Sequence, residues 1–465
     1  MSKSTHALGS ATTTIQRGFR SIFWRITKVG FSLLNVSLVD GPLLWGVYLV
    51  AAGLAALSLT IALWPKRAEA FGGVDSRRAS TKMRLYRSLF ALLVVLAGFG
   101  VGFPVVWFLG DKLDLFGVQF TASTRLWVAS ATAMIALGIL GFIRSRRWRK
   151  ALSTVSIVAS LLAAAGGINA EFGQYTTVRT ALGISSYEKL NLKDSVFSGA
   201  LTGTVGTVVI PATVSGFVAR PAVMYVPAAA RRAHPPTLPV VVMLSGQPGS
   251  PQVPFTAGRL ASILDAYAIR HSGVAPIVVV PDQLGSPGNN PMCVDSPLGN
   301  SATYLTVDVP NWIKTHFTVS KVPAAWTIAG FSQGGTCSIQ LAAAHPAIFG
   351  TALDVSGELA PHVGSVANTI RVGFSGSAEA HAASAPKAIM AANAPYDSLA
   401  VFFAAGANDP RFLKTARELT AAATEAGIKA KLIVSPGTAH DWHTVYYSWK
   451  AAFASILSRG GLPTP

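Results

Sequence analysis

Cysteine is almost absent from this chain, with only two in 465 residues. Two thiols cannot build a disulfide-rich scaffold, and they are too few for a structural zinc cluster. The sequence also lacks a glycine-rich loop of the kind that cradles phosphates. We therefore expect neither a metal site nor a cofactor.

Charged residues are also scarce, at 12% of the chain, whereas globular proteins typically carry about 25%. Acidic residues are rarer than basic ones, and the net charge is +18. Residues 1–170 contain 19 Lys and Arg against 5 Asp and Glu, while residues 171–465 contain 19 against 15. Because the excess belongs to the apolar half, we expect it to set membrane topology and to meet anionic lipid headgroups, with no nucleic-acid partner.

Long apolar runs fill the first 170 residues. A bilayer-spanning helix needs about 20 apolar residues. Four predicted spans meet this requirement within a membrane domain over 42–170, at 42–64, 88–109, 126–143 and 151–168. The first run is too long for a signal-peptide core. Residues 1–41 form a basic tail, in which alternating cationic and apolar residues over 19–39 predict an interfacial helix.

The loops between these spans differ in charge. Seven Lys or Arg lie between the first and second spans, five between the third and fourth, and two between the second and third. If the loops between the first and second spans and between the third and fourth spans are cytoplasmic, 12 cationic residues lie inside and seven outside, and five of the seven are in the amino-terminal tail. We therefore expect a multi-pass protein of the cell membrane whose carboxy-terminal domain lies outside the cytoplasm.

The composition and the pattern of apolar residues change after residue 170. Residues 171–203 form a polar connector, and residues 204–460 alternate short apolar strands with helical patterns. The apolar strands lack polar alternation, as expected for a mostly parallel sheet covered on both faces. We predict a doubly wound α/β domain of the α/β-hydrolase class. Its strands are predicted at 204–210, 214–226, 239–244, 276–280, 326–329, 351–355, 399–404 and 430–434.

A G-x-S-x-G sequence, Gly330 to Gly334, follows the predicted strand 326–329 and directly precedes a predicted helix. A serine on such a sharp strand-to-helix turn projects its hydroxyl above the sheet. The helix amino terminus places the Gln333 backbone N–H where it can donate to an oxyanion. Ser332 is therefore the predicted nucleophile.

A serine hydroxyl needs a base, and in this fold class the chain order is Ser, acid, His. His440 lies in a loop just after the predicted strand 430–434, where a base can reach the serine. His443, three residues later at a predicted helix start, is the alternative. We predict His440 as the base.

The acid that orients the base should follow the preceding strand. Asp409 lies between the predicted strand 399–404 and a predicted helix, although it could also be a plain helix N-cap before Pro410. Glu358 and Asp441 are the competing carboxylates, and Asp354 is predicted to be buried within its strand. We predict Asp409 as the acid.

Two further features concern the surroundings of the nucleophile. The turn after the first core strand should supply a second oxyanion donor, and the Gln247 backbone N–H is the predicted one, beside Gln333. Cys293 and Cys337 are predicted to pair, because an extracytoplasmic domain would sustain a disulfide there; two free buried thiols are the alternative.

These residues resemble the esterase-D-like branch of the α/β-hydrolases, which includes the mycolyltransferases of the actinobacterial envelope. The resemblance covers about residues 200–460 and rests on GFSQGG at 330–335, GANDP at 406–410 and the H-D-W sequence beginning at His440. It implies hydrolysis or transfer of an acyl ester outside the membrane. The chain differs from the secreted mycolyltransferases in its membrane spans, in Asp409 where they use Glu, and in Leu-Ser-Gly-Gln at 244–247 where they have an Asp-Gly turn.

The predicted function is therefore that of a membrane-anchored serine esterase or acyltransferase. Its partners would be membrane lipids and an acyl-ester substrate, either a lipid or an acylated glycan of the cell envelope. A peptidase or amidase with the same triad is one alternative. A non-catalytic membrane assembly protein with a vestigial hydrolase domain is the other.

Overall fold

The structure is a computed structural model that describes residues 33–63, 74–113, 117–143, 145–192 and 199–465. The part of the predicted interfacial helix before residue 33 lies outside the described residues. The chain divides into two compact units. The first comprises Met1–Phe99, Ser130–Ala170 and Tyr175–Ser185, and the second comprises Gly100–Ala129, Glu171–Gln174 and Ser186–Pro465.

Four long helices precede the predicted α/β domain: α1 (Pro42–Leu63), α2 (Val74–Trp107), α3 (Ala122–Phe142) and α4 (Arg147–Phe172). Four stretches within them, the second prolonged by a π-helical turn, are long and apolar enough to cross a membrane: Pro42–Ile61, Ser88–Lys112, Ala122–Phe142 and Arg147–Phe172. In the first unit, a Cβ on Gly98 would lie only 2.9 Å from the Ala133 Cα. Small residues thus let α2 and α3 pack closely, as membrane helices commonly do.

An eight-stranded sheet dominates the second unit. Its strands are β1 (Thr204–Val208), β2 (Ala222–Val226), β3 (Val240–Leu244), β4 (Ile277–Val280), β5 (Trp326–Phe331), β6 (Thr351–Val355), β7 (Ala400–Gly406) and β8 (Lys429–Ser435). The spatial order is β1-β2-β4-β3-β5-β6-β7-β8. Only β2 runs against its neighbours, and the other pairings in the sheet are parallel. This arrangement confirms the predicted α/β-hydrolase fold.

Helices cover both faces of the sheet. Along β3, Val240 and Val242 enter one hydrophobic core while Val241 and Met243 enter the other, the alternation that a pleated strand imposes. The connector contains one short helix, α5 (Val178–Ala181), which belongs to the first unit. The helices of the second unit that follow it are α6 (Val253–Thr256), α7 (Leu260–Arg270), α8 (Ser301–Thr303), α9 (Val309–His316), α10 (Gln333–Ala344), α11 (Val366–Gly373), α12 (Ala378–Ala383), α13 (Pro386–Ala392), α14 (Pro410–Glu425) and α15 (Trp442–Arg459).

The segment predicted as a strand over 214–226 is a strand only from Ala222 onward. The preceding residues form a loop because the buried Asp308 carboxylate accepts the backbone N–H groups of Val214 and Ser215. Burial opposes ionisation of this carboxyl, but the hydrogen bonds from Ser215, Val214 and Thr213 outweigh it and hold the pKa of Asp308 below its usual value. A charged anchor therefore overrides the β propensity of the segment.

Candidate active site

Ser332 occupies the tight turn between β5 and α10. Its φ of 56° lies in the left-handed region that non-glycine residues rarely adopt, and its N–H donates to the Val355 carbonyl at 2.8 Å. Gly334 must be a glycine, because a Cβ there would lie 2.4 Å from the Ser245 carbonyl oxygen. The turn thus holds Ser332 at the carboxyl edge of the sheet, with the start of α10 pressed against the end of β3.

The structure brings together the three residues predicted as a triad. His440 Nε2 lies 2.9 Å from Ser332 Oγ, and His440 Nδ1 lies 3.3 Å from Asp409 Oδ2. Asp409 and His440 are both buried. The imidazole packs against the rings of Phe331 and Phe412, whose centroids are 4.8 and 4.2 Å from its own. The ring therefore has one orientation, in which one nitrogen faces the hydroxyl and the other faces the carboxylate.

The plain helix-cap interpretation of Asp409 and its triad interpretation turn out to be compatible. Asp409 Oδ1 accepts the Phe412 N–H at 3.2 Å and caps α14, while Oδ2 faces His440. Since one oxygen is held by the helix, the other is fixed in direction, which is what an orienting carboxylate requires.

The competing residues have other contacts. His443 is exposed on α15. The Asp441 carboxylate accepts the N–H groups of Ala439 and Thr444, both at 2.8 Å, and so closes the loop on either side of His440. Glu358 Oε2 lies 2.6 Å from His362 Nδ1. Each competing carboxylate is thus committed to a partner other than His440.

Asp354 is buried at the end of β6, as predicted. Burial raises the pKa of its carboxyl to about 7, a hydrogen bond from the Gly357 N–H opposes the rise, and the negative charge of Glu358 adds to it.

The predicted oxyanion donors flank the nucleophile in the chain segments expected of them. The Gln333 N–H belongs to the first turn of α10, where N–H groups have no acceptor within the helix. Gln247 lies in the turn after β3. Gly334 lies close to the Ser245 carbonyl of the same turn. Nearby, Cys293 and Cys337 are joined by a disulfide. Among the described residues no group of three or more His, Cys, Asp or Glu could hold a metal ion.

A chain of amide side chains near the nucleophile was not predicted. Gln283 Nε2 donates to the Ser245 carbonyl at 2.6 Å and to Gln333 Oε1 at 3.1 Å, and Gln333 Nε2 donates to Asn290 Oδ1 at 3.0 Å. We call Gln283, Gln333 and Asn290 the amide bridge. It ties the turn after β3 to the nucleophile helix and to the loop that carries Cys293. No sequence pattern marks Gln283 or Asn290, although the position of Gln333 beside Ser332 was a clue.

Two further supports were also missed. Arg220 makes a bidentate pair with the fully buried Asp282, at 2.7 and 2.9 Å, and donates to the Gly249 carbonyl at 3.1 Å. Trp442, two residues after His440, donates its indole N–H to Gln174 Oε1 at 2.7 Å and packs on Phe331. Both contacts lie within the second unit, and both hold loops that carry predicted site residues.

Known proteins share this part of the chain. Residues 221–459, about half of the sequence, match the family described as "Putative esterase". An uncharacterized protein of Corynebacterium glutamicum is 32% identical over 339 residues, which are 69% of this chain and 78% of that protein.

Similar solved structures include a ferulic acid esterase (TM-score 0.46, 15% identity, 56% of this chain and 98% of that one). An S-formylglutathione hydrolase from Agrobacterium tumefaciens has a TM-score of 0.45 and 18% identity over 56% of this chain and 96% of that one. MPT51 of Mycobacterium tuberculosis has a TM-score of 0.42 and 18% identity over 55% and 98%. By its family match and its Corynebacterium relative, the chain belongs to this esterase family and is an enzyme of the serine hydrolase class.

Proposed function

We propose that the protein is a membrane-anchored serine esterase or acyltransferase that works outside the cytoplasm on an acyl ester of the cell envelope, either a lipid or an acylated glycan. The observation that carries the proposal is the alignment of Ser332 Oγ, His440 and Asp409 through contacts of 2.9 and 3.3 Å. The four apolar helices supply the anchor.

In the proposed reaction, Ser332 Oγ attacks the acyl carbonyl carbon while its proton passes to His440 Nε2. Asp409 accepts the Nδ1–H and stabilises the imidazolium that forms. The ester C–O bond then breaks, His440 returns the proton to the departing alkoxide, and an acyl-enzyme remains on Ser332. Water or an alcohol attacks this ester with His440 again as base. The bond between the acyl carbon and Ser332 Oγ breaks, His440 returns the proton to Oγ, and an acid or a new ester is released.

The carbonyl oxygen becomes negative during both attacks. The backbone N–H groups of Gln247 and Gln333 are the proposed donors to it. One such donor typically stabilises the transition state by about 3–4 kcal/mol, because it is already oriented when the charge develops.

Ser332→Ala tests the nucleophile. We expect activity on p-nitrophenyl esters to fall by about 10⁴-fold or more, with the melting temperature unchanged, because nucleophile and base act as a unit. A fluorophosphonate probe should label the wild type and miss the variant. Labelling of Ser332→Ala would show that another serine is the nucleophile.

Matched histidine variants test the base. His440→Ala should be as inactive as Ser332→Ala, whereas His443→Ala should retain most activity. The reverse ranking would move the base by three residues. Faster cleavage of p-nitroanilides than of esters would favour an amidase, and mass spectrometry of the acyl group trapped on Ser332 would identify the donor.

Reporter fusions test the proposed location. Alkaline phosphatase fused after residue 200 should be active, and a fusion within 144–150 should not. An inactive fusion at the first site with an active one at the second would place the catalytic domain in the cytoplasm.

A further inference from the structure

The loop between β1 and β2 presents an uncharged and unusually exposed apolar surface. From Val208 to Ala219 the sequence contains no Asp, Glu, Lys or Arg. Within it Val209, Val214 and Val218 are 66%, 63% and 84% exposed. We call residues 209–218 the valine loop. Single exposed aliphatic residues are ordinary, but three in ten residues without a charge indicate a surface that meets something apolar.

This exposure is built into the fold. Asp308 accepts the N–H groups of Val214 and Ser215 at 2.9 and 3.0 Å and the Ser215 hydroxyl at 2.6 Å. Asn300 donates to the Ser215 carbonyl at 2.9 Å. The middle of the loop is thus held from two sides, so its valines are displayed by a fixed backbone.

The valine loop lies at the same edge of the sheet as the candidate active site. Because β2 runs antiparallel to both β1 and β4, β1 points the same way as the parallel strands. The loop therefore leaves β1 at the carboxyl edge, where Ser332 and Asp409 follow their own strands. Arg220, just beyond the loop, donates to the Gly249 carbonyl in the turn that holds the proposed oxyanion donor Gln247.

Chain segments adjoining the apolar helices reach the same region of the second unit. Val118, between the apolar stretches Ser88–Lys112 and Ala122–Phe142, packs against one of the two hydrophobic cores of the sheet. The Leu190 N–H, in the connector that follows α4, donates to the Thr207 carbonyl, two residues before Val209. The start of the valine loop is therefore close to the connector that follows α4 in the chain.

We propose that the valine loop inserts into the bilayer that the apolar helices cross, and that the ester substrate is a membrane lipid that passes from this bilayer to Ser332. The proposal rests on the proposed function and names its substrate class. A lipid surface fits the loop because its exposed side chains are small aliphatics, without the Trp, Tyr or Arg anchors that dominate protein interfaces.

Lipid contact can be measured on the full chain in vesicles of phosphatidylethanolamine and phosphatidylglycerol. A Val218→Cys variant would carry an environment-sensitive NBD label, since the native cysteines are bonded to each other. The control is Val322→Cys, which is 59% exposed just before β5, at the opposite edge of the sheet. We expect a blue-shifted emission and quenching by nitroxide-labelled lipids at position 218 and neither at 322.

Two results of this measurement would overturn the proposal. Equal quenching at both positions would mean that the loop has no special contact with lipid. A blue shift at 218 without lipid quenching would mean that a protein segment or a second copy covers the loop.

Activity supplies the second arm. Val214→Asp/Val218→Asp should lower cleavage of a fluorogenic phospholipid ester in the vesicles by about tenfold or more. The same variant should cleave soluble p-nitrophenyl acetate at the wild-type rate, as should Val322→Asp with both substrates. Equal losses on both substrates, or no loss on either, would refute the proposal. If the wild type cleaves neither ester, the proposed function fails, whereas the quenching result still decides the position of the loop.

Discussion

Replacing Asp354 by asparagine should stabilise the protein at neutral pH. Asparagine has nearly the same shape, and its side-chain oxygen can still accept the Gly357 N–H that Asp354 accepts at 2.8 Å. It cannot ionise. The substitution therefore removes the free-energy cost of a buried negative charge while keeping the hydrogen bond.

The magnitude follows from the pKa of Asp354, which burial raises from 3.8 to about 7. The folded chain binds this proton more tightly than the unfolded chain does, so the free energy of unfolding falls as pH rises from about 4 to about 7 and stays low above that. The difference in pKa corresponds to a loss of about 4 kcal/mol in the free energy of unfolding between low and high pH. The gain from Asp354→Asn should thus be about 4 kcal/mol larger at pH 8 than at pH 4, on the order of 10 °C in melting temperature.

Thermal unfolding of the full chain in detergent, followed by tryptophan fluorescence at a series of pH values, would measure this gain. Glu358→Gln is the informative control, because it removes the neighbouring charge that also raises the pKa of Asp354. In this variant the fall in stability should still begin near pH 4, but it should end at a lower pH and be smaller than in the wild type. A gain from Asp354→Asn that is the same at pH 4 and pH 8 would refute the reasoning, since it could not come from ionisation.

Three more predictions concern the supports of the site. Gln174→Leu should lower kcat/KM severalfold because the Trp442 indole N–H loses its acceptor, whereas Gln174→Glu keeps an acceptor and should be as active as the wild type. Ester kinetics would measure both variants, and equal activities would contradict a role of this hydrogen bond in positioning the site. Replacing Cys293 and Cys337 by serine should lower the melting temperature by releasing a link worth roughly 3–4 kcal/mol, with fluorophosphonate labelling retained. Gln283→Leu should cost about 1–3 kcal/mol of stability and lower kcat on p-nitrophenyl esters, since it leaves buried acceptors without their donor; unchanged kcat would separate the amide bridge from catalysis.

Local chemistry made the centre of the site predictable. The sharp turn at Ser332 requires small residues around it, and those residues form a readable motif. Asp409 and His440 each follow a strand, and the carboxyl ends of parallel strands meet at one edge of the sheet. Strand positions could be predicted for the same reason, because fully buried strands are short uninterrupted apolar runs.

The features that were missed depend on residues far apart in the chain. The loop over 214–221 has the composition of a strand, and only Asp308, more than 90 residues away, turns it into a loop. Gln283 and Gln333 are separated by 50 residues, and Gln174 and Trp442 by 268. Helices α11, α12 and α13 have no more than eight residues each, too few for a helical period to stand out.

Three contacts from distant parts of the chain converge on one short turn, residues 245–250, which carries the proposed oxyanion donor. Gln283 holds the Ser245 carbonyl, Arg220 holds the Gly249 carbonyl, and the Gln247 side chain donates to the Asn289 carbonyl at 3.2 Å. A donor fixed before substrate arrives needs no reorganisation when the oxyanion forms, which is the condition under which it lowers the barrier most.

The turn over residues 245–250 would contact only the reacting carbonyl group, which all esters share. It therefore cannot discriminate between one ester substrate and another. Selection of the ester must come from surfaces that meet the rest of the molecule. In our proposal the valine loop is such a surface. It would select by the place where the ester resides, in the bilayer, before any group in the site meets the acyl chain.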